Sequence, residues 1–377
     1  MLDSDILLVG KQYKKIVVVG ASFVGKRLVE LFSREDAEIL VCDNSAKMQG
    51  TQERYTVVPV EEAIVEGAAY LVSSESYFET LKQQLVDLGV PENNIFMAVT
   101  DESKEALFEC KAKKKLTPLN KLQFEIDITA HCNLNCKCCS QFSCIADEEF
   151  LDIDQMERDF KRLGQLFSGQ CERIYLIGGE PLLHPRIIDA MKVARRHFPE
   201  GKISVFTNGL LLLKQPDEFW ESCRENKIGI IVTKYPIQLE HEAIQSKAKE
   251  QDVDFEFFGR SEDFKYMMNL GLDPEGKQDV YKSYVNCVEA NNCIKLKDGK
   301  LFTCTRPAAI YKFNKYFNKN LQVCDCDYVD IYQVNSGEEV LERLAKPIEF
   351  CKYCKTCVGD RKAFEWGKTS GEIEEWL

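Results

Sequence analysis

The sequence predicts an α/β protein with an N-terminal parallel sheet (1–100), a central partial (βα)6 barrel (122–280) and a small cysteine-rich C-terminal domain (281–377). Two observations lead to this prediction. Strand-like apolar runs alternate with amphipathic helical runs over most of the first 280 residues, which is typical of parallel sheets. Most of the 17 cysteines fall into two groups, one inside the expected barrel and one near the C-terminus.

Composition narrows the function classes. The formal net charge of −12 argues against nucleic acid as a partner, because phosphate binding needs a basic face. No apolar run approaches the roughly 20 residues that span a bilayer, and the acidic N-terminus does not resemble a signal peptide. We therefore expect a cytoplasmic protein without membrane contact.

The N-terminal part has a Rossmann-like order, with buried strands at 15–20 and 38–43 on either side of a helix. The turn at 20–25 (Gly-Ala-Ser-Phe-Val-Gly) is similar to a dinucleotide fingerprint, with Asp43 near the place of a ribose-binding acid. Ser22 replaces the middle glycine that lets the backbone approach a pyrophosphate. Such turns also serve packing alone, so both a bound nucleotide and a structural turn remain open.

A charged segment at 101–121, ending near Thr117-Pro118, is interpreted as a linker to the barrel. The barrel strands are expected at 122–129, 173–177, 202–206, 228–232 and 254–258. In such folds the catalytic groups lie on loops at the carboxyl ends of the strands.

The loop after the first barrel strand carries Cys132, Cys136 and Cys139 in the spacing Cys-x3-Cys-x2-Cys. We call residues 132–139 the cysteine loop. Three thiolates on one loop can hold three irons of a 4Fe–4S cluster and leave the fourth iron open to a ligand. The alternative is a structural zinc site, although zinc loops favour paired Cys-x2-Cys units.

Three motifs resemble those of the radical S-adenosylmethionine (SAM) superfamily, over about residues 122–365. They are Cys132-x3-Cys136-x2-Cys139, Gly178-Gly179-Glu180-Pro181 and Phe206-Thr207-Asn208-Gly209. The resemblance implies that SAM chelates the open iron, and that Glu180 offers its carboxylate to the SAM amino group. The SAM-binding residues implied are Gly178, Gly179, Glu180, Thr207, Asn208 and Thr233. One departure is Cys138, which stands where the family usually has an aromatic residue.

The C-terminal cysteines resemble the auxiliary-cluster domain called twitch, a shorter relative of the SPASM domain. A hairpin with an Asp-Gly turn is predicted between Cys293 and Cys304. The resemblance implies a second 4Fe–4S cluster, with zinc as the alternative. The expected ligands are Cys293, Cys304, Cys351 and Cys354, with Cys287 and Cys357 in reserve.

The resemblance implies reductive cleavage of SAM to a 5′-deoxyadenosyl radical that abstracts hydrogen from a substrate, with a flavodoxin or ferredoxin as electron donor. The N-terminal part looks like modules attached to enzymes of sugar and polysaccharide assembly. We therefore expect a sugar, a sugar nucleotide or a related small metabolite as substrate. The alternatives are a peptide-modifying maturase, a non-catalytic iron–sulfur electron carrier and a zinc-bearing scaffold.

Overall fold

The computed structural model describes residues 3–33, 37–52, 55–75, 77–259, 266–269, 271–356 and 362–377. The chain forms two compact units, Met1–Lys113 and Lys114–Leu377. The second unit contains both the barrel and the cysteine-rich region, so the boundary predicted at 280/281 stays a prediction. Among the described residues, no helix has both the length and the apolar character needed to cross a bilayer.

The first unit is built around a six-stranded sheet in the order β3-β4-β2-β1-β5-β6. Its strands are β1 (Lys15–Val19), β2 (Glu38–Cys42), β3 (Gly50–Thr51), β4 (Thr56–Val58), β5 (Ala69–Val72) and β6 (Ile95–Met97), and its helices are α1 (Asp3–Gln12), α2 (Phe23–Phe32) and α3 (Phe78–Asp87). Strand β1 pairs in parallel with β2 and β5. Its residues alternate between two hydrophobic cores, Ile16 and Val18 in one and Val17 and Val19 in the other. This confirms the predicted parallel sheet.

The glycine-containing turn after β1 has internal partners for its polar groups. The Asp43 carboxylate accepts hydrogen bonds from the backbone N–H groups of Ala21 (2.8 Å) and Ser45 (2.7 Å). A Cβ atom on Gly25 would lie 1.9 Å from the carbonyl oxygen of Gly20, so close packing of helix and strand requires glycine there. These contacts account for the motif as a structural turn, and nucleotide binding stays a prediction.

Most of the expected linker is a helix, α4 (Asp101–Lys115). The Thr100 hydroxyl accepts a hydrogen bond from the N–H of Ser103 (2.9 Å) and so caps the first turn. The segment is rich in good helix formers, with acidic residues in the first turn and lysines in the last, which suits the helix dipole. The same charges that suggested a solvated linker therefore stabilise an exposed helix.

The second unit contains an eight-stranded sheet in the order β11-β10-β9-β8-β7-β13-β14-β15, in which the last three strands are β13 (Lys295–Lys297), β14 (Lys300–Phe302) and β15 (Tyr328–Asp330). Its parallel strands are β7 (Gln123–Thr129), β8 (Arg173–Gly178), β9 (Lys202–Thr207), β10 (Ile228–Thr233) and β11 (Phe255–Phe258), separated by α5 (Ile153–Leu166), α6 (Ile187–His197), α7 (Asp217–Glu225) and α8 (His241–Glu250). Phe124 of β7 packs edge-on against Phe160 and Phe198. The alternate β7 residues Glu125 and Asp127 carry polar groups on the opposite face.

The five parallel strands confirm the βα architecture, but the expected sixth strand differs. Among the described residues, the strand after β11 is β12 (Tyr266–Asn269), which pairs antiparallel with β16 (Lys362–Glu365) in a separate sheet. Gly259, with φ of +72°, follows β11 directly. The chain thus leaves this run of βα strands at Gly259, and among the described residues five successive βα strands, β7 to β11, belong to the sheet rather than six.

The predicted hairpin is confirmed as β13 (Lys295–Lys297) and β14 (Lys300–Phe302). Asp298 and Gly299 form its turn with positive φ angles of 48° and 71°, which matches the twist of the strands. Strand β13 also pairs in parallel with β7, so the cysteine-rich region continues the barrel sheet. The remaining elements are β15 (Tyr328–Asp330), α9 (Val280–Asn286), α10 (Thr305–Phe317) and α11 (Gly337–Leu344).

Candidate functional site

The carboxyl ends of β7 to β10 surround a cavity of about 210 Å³, here called the cysteine-loop cavity. Eight of the residues that the sequence predicts for the cluster and for SAM line it: Cys132, Cys136, Cys139, Gly178, Gly179, Thr207, Asn208 and Thr233. Tyr235, Ser143 and Cys144 line it as well. Residues from four separate strand ends therefore meet in one place.

The shape of the cysteine loop separates its thiols. Asn135 and Cys138 adopt left-handed backbone conformations, with φ of 57° and 55°. The resulting turns bring Cys132, Cys136 and Cys139 to the cavity, whereas Cys138 is not among its lining residues. The three cysteines expected to bind the cluster therefore line the cavity together, and Cys138 does not.

The three cavity thiols differ in acidity. Burial raises the pKa of Cys132 to about 11 and that of Cys136 to about 12. A hydrogen bond from Cys144 lowers the pKa of Cys139 to about 6. Metal ions bind thiolates, so a cluster that binds here would release protons from the cysteines. The metal–sulfur bonds would offset the cost of burying the charged sulfurs. The sequence analysis assigned no role to Cys144, which also lines the cavity.

The two glycines of the Gly-Gly-Glu motif permit a close backbone approach. A Cβ atom on Gly178 would lie 2.3 Å from the Thr129 carbonyl oxygen, and one on Gly179 would lie 1.8 Å from that of His131. Through this approach, the N–H of Gly179 donates to Thr129 O (2.9 Å) and that of Glu180 donates to His131 O (3.0 Å). The glycines therefore join the end of β8 to the start of the cysteine loop.

Glu180 is engaged in hydrogen bonds within the protein, and its expected contact with the SAM amino group stays a prediction. Its side chain is fully buried, and it is not among the residues lining the cavity. The carboxylate accepts hydrogen bonds from the Thr207 hydroxyl (2.6 Å) and from the N–H groups of Asn208 (2.9 Å) and Leu182 (3.1 Å). Burial raises its pKa to about 7. Glu180 thus holds the end of β9 against the glycine turn.

Asn208 completes the connection to the cysteine loop. Its side-chain amide donates to the Asn133 side-chain oxygen (2.8 Å) and lies 3.7 Å from the Cys132 sulfur. The ends of β8 and β9 and the cysteine loop are therefore joined by hydrogen bonds on three sides. Such support fixes the geometry of a site before any ligand arrives.

A second, small cavity, here called the C-terminal cysteine cavity, is lined by Cys287, Cys304, Cys351 and Cys354. Three of the four ligands expected from the sequence are in this group. Cys293 is not among the lining residues, and the reserve Cys287 takes its place. The other reserve, Cys357, lies outside the described residues.

Arg306 also lines the C-terminal cysteine cavity. Its side chain is only 4% exposed, and Nε and Nη1 have no hydrogen-bond partner in the described structure. A buried guanidinium without a full set of partners is costly unless a negative group faces it. Four thiolates and an iron–sulfur cluster are such a group. The donor set fits a cluster, and it also fits tetrahedral zinc.

A third cavity of about 360 Å³, here called the lysine cavity, lies between the end of β7, the hairpin and α10. The ammonium group of the buried Lys295 contacts Asp127 (2.7 Å) and Glu125 (3.1 Å). Gln141, which lines the cysteine-loop cavity, can orient its amide to donate to Asp127 (3.2 Å) and accept from Lys295 (3.3 Å). Its backbone carbonyl accepts from Lys312 (3.2 Å). Gln141 therefore lies between the two cavities.

Comparison with known proteins adds a family match. Residues 126–241 match the model of the radical SAM superfamily. This part of the chain is therefore similar to a radical SAM domain. The match confirms the class predicted from the cysteine loop and the Gly-Gly-Glu motif, at the level of the domain.

Two curated relatives match over short stretches. The GTP 3′,8-cyclase of Chlorobaculum tepidum is 31% identical over 97 residues, which cover 26% of this chain and 28% of that protein. The probable GTP 3′,8-cyclase of Thermoplasma volcanium is 34% identical over 91 residues, covering 24% of this chain and 27% of that protein.

Solved structures with similarity to this chain have low sequence identity. BtrN in complex with AdoMet and 2-DOIA is 16% identical, covers 62% of this chain and 85% of its own, and has a TM-score of 0.39. Native anSMEcpe with bound AdoMet is 15% identical, covers 62% of this chain and 90% of its own, and has a TM-score of 0.38. Streptococcus suis SuiB bound to S-adenosylmethionine is 15% identical, covers 47% of this chain and 51% of its own, and has a TM-score of 0.25.

The hydrogen bonds of Glu180 predict a stability effect. Glu180→Ala leaves three buried donors without an acceptor, so we expect it to lower the free energy of unfolding by about 3 kcal/mol. Thr207→Val removes one of these bonds and also the hydroxyl that accepts from the N–H of Gly209 (3.0 Å), so it should cost about 2 kcal/mol. Denaturant unfolding measures both. The control is Glu221→Ala on the exposed face of α7, and a Glu180→Ala protein no less stable than this control would contradict the assignment.

Proposed function

We propose that this protein is a radical SAM enzyme that abstracts hydrogen from a small polar metabolite, with a sugar or sugar nucleotide as the favoured class. The observation that carries the proposal is the cysteine-loop cavity, in which three cysteines face both motif glycines and the polar ends of β9 and β10. A 4Fe–4S cluster with SAM would supply a 5′-deoxyadenosyl radical at this cavity.

The residues of the cavity have defined tasks in this proposal. Cys132, Cys136 and Cys139 hold the cluster and leave one iron open. Gly178 and Gly179 line the cavity, where the absence of side chains lets the amino acid part of SAM approach their backbone. A polar ligand is supported by a further residue that lines the cavity, Ser143. Its hydroxyl is buried and has no hydrogen-bond partner in the described structure.

We propose that the C-terminal cysteine cavity holds a second 4Fe–4S cluster, ligated by Cys287, Cys304, Cys351 and Cys354. The support is the shared cavity and the partly unpaired guanidinium of Arg306 beside it. Four thiolates leave no open iron, so this cluster serves electron transfer rather than substrate binding. The electron donor is a flavodoxin or a ferredoxin, and oxygen-sensitive clusters suit a cytoplasmic location.

We propose the lysine cavity as the substrate site. Its volume of about 360 Å³ suits a small molecule better than a peptide chain. It is lined by ammonium and carboxylate groups, including Lys295, Lys297, Asp127 and Glu149, which can bind both the donors and the acceptors of a polyhydroxylated compound. The two matched relatives are named for a reaction on a nucleotide, GTP, which is consistent with a small-metabolite substrate.

Anaerobic reduction of the reconstituted protein with SAM tests the reaction class. We expect 5′-deoxyadenosine and about eight irons per chain, as two cubane clusters require. Cys132→Ala should lose about four irons and all 5′-deoxyadenosine formation, because it removes one of only three ligands. Cys138→Ala, in the same loop, should keep both. A wild-type protein with iron but no 5′-deoxyadenosine would be an electron carrier, and a colourless one a zinc protein.

Paired variants test the ligand set of the second cluster. Cys287→Ala should lower the iron content by about four per chain or leave a labile cluster, because its thiol lines the cavity. Cys293→Ala should retain all iron. Iron and sulfide analysis of anaerobically purified proteins measures this. The reverse pattern would restore Cys293 as the ligand and contradict the geometric assignment.

Calorimetric titration with nucleotide sugars and with a ribosomally made leader peptide tests the substrate class. We expect a nucleotide sugar to bind, and Lys297→Met to weaken binding about tenfold, since one charged hydrogen bond contributes about 1.5 kcal/mol. Lys161→Met on the exposed surface of α5 is the control and should bind normally. Binding of the peptide alone would replace the substrate proposal with a maturase.

A further inference from the structure

The last twelve residues, 366–377, run along the cysteine loop, and we call them the C-terminal clamp. The N–H of Lys137 donates to the Gly367 carbonyl (2.8 Å), and the N–H of Thr369 donates to the Asn135 carbonyl (2.9 Å). Between these bonds, Cys136 and the clamp form an antiparallel bridge. The backbone on both sides of a predicted cluster ligand is thus held by a segment about 230 residues away in sequence.

The clamp is itself firmly anchored. Trp376 is 1% exposed and packs among Phe142, Phe313 and Phe317. Its indole N–H donates to the carbonyl oxygen of Cys139 (3.1 Å). A second anchor lies one residue earlier in the chain. There, the Glu375 carboxylate accepts bonds from the Thr369 hydroxyl (2.6 Å) and the Ser370 N–H (2.7 Å).

Trp366 places a hydrogen-bond donor on a ligand sulfur. Its indole N–H donates to the Cys136 sulfur over 3.4 Å. Its ring lies 6.2 Å from that of Tyr235, a residue that lines the cysteine-loop cavity. Of the three tryptophans in the chain, Trp366 reaches a sulfur, Trp376 a backbone carbonyl, and Trp220 has a buried N–H without a partner in the described structure.

We propose that the C-terminal clamp fixes the cysteine loop and that Trp366 is a positioning residue that tunes the cluster through the Cys136 sulfur. This inference rests on the proposed function, because it needs a cluster on the loop. Reduction adds negative charge that spreads onto the ligand sulfurs. A donor on one sulfur stabilises the reduced state more than the oxidised state and raises the reduction potential.

Trp366→Phe tests the inference, because it keeps a ring and removes the N–H. We expect an iron content near that of the wild type and a more negative reduction potential of the loop cluster. At the same applied potential, the ratio of reduced to oxidised cluster should be about tenfold smaller. For one electron, this tenfold change corresponds to a shift of about 59 mV. Redox titration followed by electron paramagnetic resonance measures this shift. The signal of the loop cluster is the one that changes when SAM is added.

Trp220→Phe is the matched control, since it makes the same change in a hydrophobic core cluster that contains no residue of the cysteine loop. It should leave the potential unchanged. Equal potentials in Trp366→Phe and wild type, at equal iron content, would overturn the inference and leave the proposed function intact. A wild-type protein without iron would instead remove the proposed function.

A measurement on the wild type covers the case in which Trp366→Phe loses its cluster. With ¹⁵N-labelled indole nitrogens, electron–nuclear double resonance of the reduced loop cluster should detect one ¹⁵N coupling, from the donor next to Cys136. The Trp220→Phe protein should retain this coupling. Its absence from the wild type would contradict the hydrogen bond.

Discussion

The site depends on the close approach of two backbones, the glycine turn after β8 and the start of the cysteine loop after β7. A side chain on Gly178 or Gly179 would collide with the carbonyl oxygens of Thr129 or His131. Without that approach, the two hydrogen bonds that join the strand ends would be lost, and the cysteines would not face the motif. The absence of two Cβ atoms is therefore the constraint on which the cavity is built.

Hydrogen bonds of buried polar side chains also stabilise the close approach of these two backbones. Glu180 accepts three hydrogen bonds and connects β8 to β9, while Asn208 connects β9 to the cysteine loop. Within a low-dielectric interior, such a network is stabilising only when every member is paired, so it favours one arrangement of the loop. The C-terminal clamp holds the same loop from the other side through Trp366 and Trp376.

Part of this architecture can be predicted from local sequence patterns. The strands, the Asp-Gly hairpin and the three cavity cysteines follow from periodicity, turn chemistry and spacing, all of which act over a few residues. The rest depends on long-range packing. Residue spacing does not indicate that the Glu180 side chain is buried, or that Cys287 rather than Cys293 lines the C-terminal cysteine cavity. It also does not indicate the contact between Trp366 and Cys136. The helix α4 was missed because its charges suit a linker and an exposed helix equally.

We propose that the cluster on the cysteine loop has an open iron and that the cluster held by the C-terminal cysteines has none. Mössbauer spectroscopy of ⁵⁷Fe-reconstituted protein, recorded with and without SAM, distinguishes the two. We expect SAM to make one iron of the loop cluster distinct from its three neighbours, while the four irons held by the C-terminal cysteines keep their spectrum. Spectra that are identical with and without SAM would contradict it.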